Sequence, residues 1–441
     1  MQKIFYNANV ITFNDSAEIA EAFLVNDGAL VLVGSNKEVL EMKMEDTETI
    51  DLQGKTVIPT FFNTNSRIFN YIENKLKNAK PTKKTQKNED LSEDFEKFCN
   101  FEKYLKEFLQ IQEELIKNGI TTILEQKLSR DGFVFWKKVA ESGKLKIDVI
   151  AYVDFITSKA VMDNNCRSYR KYKDHLRLGG YTVSLDGDLL EKQAWLKKTY
   201  KSEKGYIGYP AIFDEQLAFL LKTSLEEKKQ LVVFATGDNA SDQFVRCYKG
   251  FLEKEKPEDK YRPVLCGCEL ATKAQLNSLK EFEVVPNFDV SLIKNNSLAI
   301  KQNIGRIRLS KTSQVQTATL GNLNFTVCDS SELVPNVFDT VQFLETRISV
   351  DGIQNKKQTI TRQKAFENLL KTSAQISFDG EQKGSLESGK NASFLVLSNN
   401  ILSDDLSSTK VEKVYVLAEE LVIEKAKSSK QKSTKNKQQK K

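Results

Sequence analysis

Residues 120–126 read ITTILEQ, 132–143 GFVFWKKVAESG, 146–153 KIDVIAYV, 181–187 YTVSLDG, 215–229 EQLAFLLKTSLEEKK and 230–237 QLVVFATG. Short apolar runs suited to strands alternate with stretches whose apolar residues recur at helical spacing. The rhythm continues through 244–255 (FVRCYKGFLEKE), 262–270 (RPVLCGCEL), 273–282 (KAQLNSLKEF) and 283–288 (EVVPNF). Strand and helix in strict turn imply parallel βα units, and this many in series favour a (β/α)8 barrel.

Outward from this run the pattern changes. Residues 1–58 alternate apolar and polar positions in short pieces, 3–13 KIFYNANVITF, 22–34 AFLVNDGALVLVG and 49–59 TIDLQGKTVIP, broken by turn residues. After a helical segment near 362–374, the strand rhythm returns in 384–398 (GSLESGKNASFLVLS) and 411–424 (VEKVYVLAEELVIE). The two ends are therefore expected to form one small β-sandwich, residues 1–58 and 381–424, beside a distorted barrel over 59–380. Residues 74–90 (NKLKNAKPTKKTQKNED) are lysine-rich without periodicity and read as a mobile loop, and 93–119 as an amphipathic helix stopped by Gly119. Residues 425–441 are basic, lack core-forming residues and read as a disordered tail.

Composition narrows the class. Hydrophobic residues make up 40% and charged residues 29%, as in an ordinary globular protein, and no apolar run approaches the roughly 20 residues that span a bilayer. The start lacks a secretory pattern, and the six cysteines keep no framework rhythm, so a reducing cytoplasmic location is expected. Eight lysines and no acid follow Glu424, so the net charge of +6 less those eight leaves −2 on the remainder. The tail suits weak electrostatic contact with nucleic acid, but without interleaved aromatics a solvating role is the better expectation.

The segment 51–67 (DLQGKTVIPTFFNTNSR) is similar to the first barrel strand of the amidohydrolase superfamily. Residues 176–210 (LRLGGYTVSLDGDLLEKQAWLKKTYKSEKGYIGYP), 230–244 (QLVVFATGDNASDQF), 262–276 (RPVLCGCELATKAQL) and 382–398 (QKGSLESGKNASFLVLS) resemble, in order, motifs of amidohydrolase family 3, its YtcJ-like branch. The resemblance implies the barrel with its companion sandwich, and hydrolysis of non-peptide carbon–nitrogen bonds by zinc or another divalent metal. It also implies ligands at set places: a His-x-His pair on the first strand, a lysine or acid on the fourth, histidines on the fifth and sixth, and an aspartate on the eighth. Here those places hold Asn65 and Arg67, Thr182, Phe234, Gly267 and Asp329. Only Asp329 matches.

A catalytic divalent metal generally needs three or more protein ligands and an open position. Arg67 repels such an ion and would sooner pair with Asp329. The expectation is a pseudoenzyme without a metal cofactor, open to a small-molecule ligand in its barrel pocket and to oligomer formation. The rival readings are a hydrolase that recruits Asp329 with Asp186 or Asp238, or that holds metal through other ligands, and a nucleic-acid factor acting through the tail. Asp186 and Asp238 sit in tight loops where Asp commonly accepts backbone hydrogen bonds. Strand alternation, with Gly267 inward, would turn Cys266 and Cys268 toward the helices, and Cys328 away from Asp329's side. The sole histidine, His175, precedes the fourth strand and reads as a loop residue.

Overall fold

The computed structural model describes residues 2–78, 101–259 and 261–421. Eight strands form the expected parallel sheet: β1 (Phe61–Ser66), β2 (Ile120–Leu128), β3 (Asp148–Asp154), β4 (Leu176–Ser184), β5 (Gln230–Ala235), β6 (Val264–Gly267), β7 (Val285–Asp289) and β8 (Thr326–Cys328). Neighbours pair in chain order from β1 to β8. The ring closes without a pairing between β8 and β1, helped by a hydrogen bond from Asn287 Nδ2 on β7 to Thr64 Oγ1 on β1, 3.1 Å. It is a distorted TIM barrel.

Strand alternation sorts the side chains into two layers. Phe62, Leu124, Ile150, Tyr152, Val232, Phe234, Val264 and Cys266 join one buried cluster along the barrel axis. Their neighbours Ile123, Val149, Ala151, Leu231, Val233, Ala235 and Leu265 pack into the larger core beneath the helices. Helices between strands carry local start signals: Ser129 accepts the Gly132 N–H ahead of Arg130–Glu141, and Thr272 with Gln275 forms a capping box ahead of Lys273–Glu281.

Both chain ends build the companion unit. One sheet runs in the order Ala29–Gly34, Ala22–Asn26, Gln2–Tyr6, Glu48–Asp51. The other joins Phe394–Leu397 to Thr56–Pro59 antiparallel, with Val411–Val416 outside the former. Phe5 and Phe23 from the first sheet stack at 5.1 Å and meet Phe394 edge-on at 5.0 and 4.9 Å. Only Thr60 separates Pro59 of this unit from Phe61 of β1, so the sandwich is coupled directly to the barrel.

One expectation is corrected here. Residues 74–78 are not loop but the last turn of helix Ile68–Asn78. Ile68, Phe69, Ile72 and Leu76 fall on one face and pack against the core, and that burial outweighs the local lysines. The remainder of the expected lysine-rich loop and the basic tail lie outside the described residues, apart from which no helix is long and apolar enough to cross a membrane.

Candidate functional site

In a (β/α)8 barrel the chemistry sits where the strands end, because loops from all eight strands converge there. At this end β1 and β2 both carry an extra residue. Between their pairings, Asn63 to Ser66 on β1 faces Ile123 to Glu125 on β2, and Glu125 to Leu128 on β2 faces Ala151 to Val153 on β3. Each is a β-bulge, which re-aims the side chains it carries.

The second bulge delivers a residue that the sequence reading missed. Lys127 adopts a left-handed backbone (φ 54°) and its ammonium lies 4.1 Å from the centroid of the Phe234 ring, inside the barrel mouth. The Arg67 guanidinium sits over the same ring at 5.3 Å. Burial, and after it the Arg67 cation, pull the Lys127 ammonium down to about 8. Asp154, Asp186 and Cys266 act in the opposite sense. The available signal was a lone lysine ending an apolar strand.

Most of the places where the resemblance puts metal ligands are otherwise committed. Asn65 is buried with its Oδ1 unpartnered among the described residues. Thr182 donates to the Val153 carbonyl at 3.4 Å. Gly267 has φ 99°, a conformation L side chains rarely adopt, and a Cβ there would lie 3.0 Å from the Ala235 carbonyl oxygen. A histidine at that point would need the backbone to move. Asp329 does not pair with Arg67, as its charge would suggest. It accepts from Lys294 Nζ at 2.9 Å and from the Ser331 N–H at 3.1 Å, because helix Ser291–Ile304 brings a nearer cation.

The other carboxylates are also engaged. Asp186 accepts the N–H groups of Trp195, Thr236 and Gly237 at 2.8–2.9 Å, tying its loop to the end of β5. Burial nevertheless raises its carboxyl to about 6. Asp238 accepts the Lys197 N–H at 2.8 Å. Among the described residues, no hydrogen bond joins any two of Asp186, Asp238 and Asp329. Glu269 and Asp289, which the sequence reading passed over, lie buried beyond β6 and on β7. Burial first, and then Asp289, push the Glu269 carboxyl well up, while Asp289 is held by Ser291 and Ser330.

The cysteine orientations also depart from expectation. Cys266 faces the barrel axis beside Phe234, with which it pairs in register, and its thiol lies close enough to that of Cys328 on β8 to help push the latter up. Cys268 packs outward as expected. The turn in the chain at Gly267 breaks the two-residue period, so counting inward and outward through it places Cys266 on the wrong face.

His175 lies at the opposite, closed end. Its Nδ1 meets Asp148 Oδ1 at 2.8 Å, within a cluster where Lys383 contacts Asp148 (2.6 Å) and Asp379 (3.2 Å), and Arg177 pairs with Asp379 (2.9 Å). The hydrogen bond to Asp148 raises the His175 imidazole. Burial opposes ionisation of Asp148, but Lys383 and His175 prevail and hold its carboxyl at about 2.

The donor chemistry at the mouth does not fit a divalent metal: two cations share one phenyl ring, a glycine stands at one ligand position, and the matching aspartate is neutralised by Lys294. Among the described residues no three His, Cys, Asp or Glu side chains gather around a point suited to such an ion.

Residues 73–422 match the Amidohydrolase family, and the chain belongs to it. A metal-dependent hydrolase of Pyrococcus horikoshii OT3 is similar in structure, with a TM-score of 0.77 at 17% identity over 92% of this chain and 99% of that one. In sequence, the chain is 36% identical over 63 residues to the exoenzymes regulatory protein AepA of Pectobacterium carotovorum subsp. carotovorum, 14% of each. It is 37% identical over 62 residues to the N-substituted formamide deformylase of Arthrobacter pascens, 14% of this chain and 11% of that one. The matches thus span about a seventh or less of these two relatives' lengths.

Proposed function

We propose that this hydrolase-like chain is a pseudoenzyme: an amidohydrolase barrel that no longer hydrolyses carbon–nitrogen bonds and serves a binding or regulatory role. The observation that carries this reading is the placement of Lys127 and Arg67 on Phe234, where the family's metal chemistry would occur. A divalent ion beside two cations meets repulsion, so the water activation such an ion supplies has no place to arise. The engaged state of Asp186, Asp238 and Asp329 speaks against a metal-free pair of carboxylates, because a general base needs a lone pair turned toward the proton it removes. The regulatory name of AepA is consistent with such a role, although the likeness covers a short segment. We place the protein in the cytoplasm on the same reading.

The test is turnover. The full chain, assayed on N-substituted formamides and on N-acyl and cyclic amides with added Zn2+ or Mn2+, should release no more product than buffer with the same metal. Saturable release that disappears in Asp329→Asn would overturn the proposal.

A further inference from the structure

The cation pair poses a question that loss of catalysis leaves open. Two positive groups lie over one ring, and no hydrogen bond or ion pair to an acid holds either among the described residues. Arg67 reaches solvent, but the largely buried Lys127 charge without a partner is costly, and a fold that had merely lost its site would gain stability from an apolar residue there. On the neighbouring strand ends, Gln126 Nε2 donates to the Thr64 carbonyl at 3.2 Å and Asn287 Nδ2, in register with Cys266 and through it with Phe234, to the Thr64 hydroxyl at 3.1 Å. Their free carbonyl oxygens, Gln126 Oε1 and Asn287 Oδ1, are buried without a partner among the described residues, as is Asn65 Oδ1. All three residues are more than nine-tenths buried. The mouth therefore combines two donors of positive charge with acceptors awaiting a hydrogen-bond donor.

We propose that this mouth binds a small hydroxycarboxylate, whose carboxylate bridges Arg67 and Lys127 over Phe234 and whose hydroxyl donates to one of the amide oxygens around Thr64. A carboxylate suits the pair because a guanidinium and an ammonium can each donate to one of its oxygens. The hydroxyl supplies the hydrogen that an anion alone lacks, and buried acceptors left unpaired penalise a ligand without it. The inference rests on the reading that no metal occupies the mouth.

The test uses the full chain with trinitrobenzenesulfonate at pH 8, the modification of Lys127 being followed by peptide mass in the presence of glycolate, acetate or inorganic phosphate. Glycolate should protect Lys127 saturably, about tenfold more tightly than acetate, the gap expected for about one hydrogen bond. Arg67→Gln should weaken that protection at least tenfold. Lys127→Met, folded by circular dichroism, should lose the rise in melting temperature that glycolate causes in the unaltered chain. Absence of protection by any of the three, or equal protection in Arg67→Gln, would refute the site. Phosphate binding tighter than glycolate, or acetate equal to it, would refute the hydroxycarboxylate assignment. Metal content is measured on the same sample: a tightly held stoichiometric metal overturns the pseudoenzyme reading, whereas a metal-free chain without protection overturns this inference alone.

Discussion

The Lys127 ammonium stands 4.1 Å from the Phe234 ring centroid, with Arg67 at 5.3 Å on the same ring. The stability consequence follows from the cost of keeping Lys127 charged in that setting. A lysine whose ammonium is pulled down to about 8 destabilises the fold while charged, and the penalty is relieved as pH rises from about 8 toward the unfolded lysine value of about 10.4. Lys127→Met should therefore raise stability by about 1–3 kcal/mol at pH 7 and by much less at pH 10. Urea unfolding midpoints at the two pH values decide it, and a loss of stability at pH 7 would contradict the burial argument.

His175 offers a clean probe because the chain has no other histidine. The hydrogen bond to Asp148 raises its folded value above 6.5, so its share of stability is fully present below about 6.5 and lost as pH rises through the raised value. Asp148 works in the other direction: its contribution holds above the unfolded value of about 3.9 and is lost as pH falls toward about 2. The single imidazole Hε1 resonance should titrate above 6.5 and move down in Asp148→Asn. An unchanged midpoint in that variant would disprove the pairing.

Asp186 is expected to matter for structure. Asp186→Ala leaves the N–H groups of Trp195, Thr236 and Gly237 without their acceptor, a loss of about 2–3 kcal/mol. Hydrogen exchange at those three amides should accelerate together. Exchange unchanged from the parent would show that the loop is held by other contacts.

Much of the barrel is legible in the chain because strand alternation and helical spacing are local properties. Leu231, Val233 and Ala235 face the helices while Val232 and Phe234 face the axis, as the two-residue period requires. The site is harder to read because it depends on interruptions of that period. The bulge that turns Lys127 inward adds one residue to β2 relative to β3, and a reading of the strand that stops at Gln126 misses it. Gly267 ends the alternation of β6, so Cys266 faces the axis. The partner of Asp329, Lys294, lies on a helix 35 positions away in sequence, and only the fold brings it nearer than Arg67. The positions of Asn65, Arg67, Thr182, Phe234, Gly267 and Asp329 follow from motif order, but what each side chain touches does not.

Exclusion of metal from the barrel mouth is read from the metal content of the purified full chain after equilibrium dialysis against Zn2+, Mn2+ and Fe2+, with Arg67→His/Lys127→Met alongside as a control for the repelling cations. Less than about 0.1 equivalent of each ion is expected in the unaltered chain, because Arg67 and Lys127 oppose a divalent charge at the barrel mouth. One equivalent that survives dialysis into metal-free buffer, and that is lost in Asp329→Asn, would contradict it.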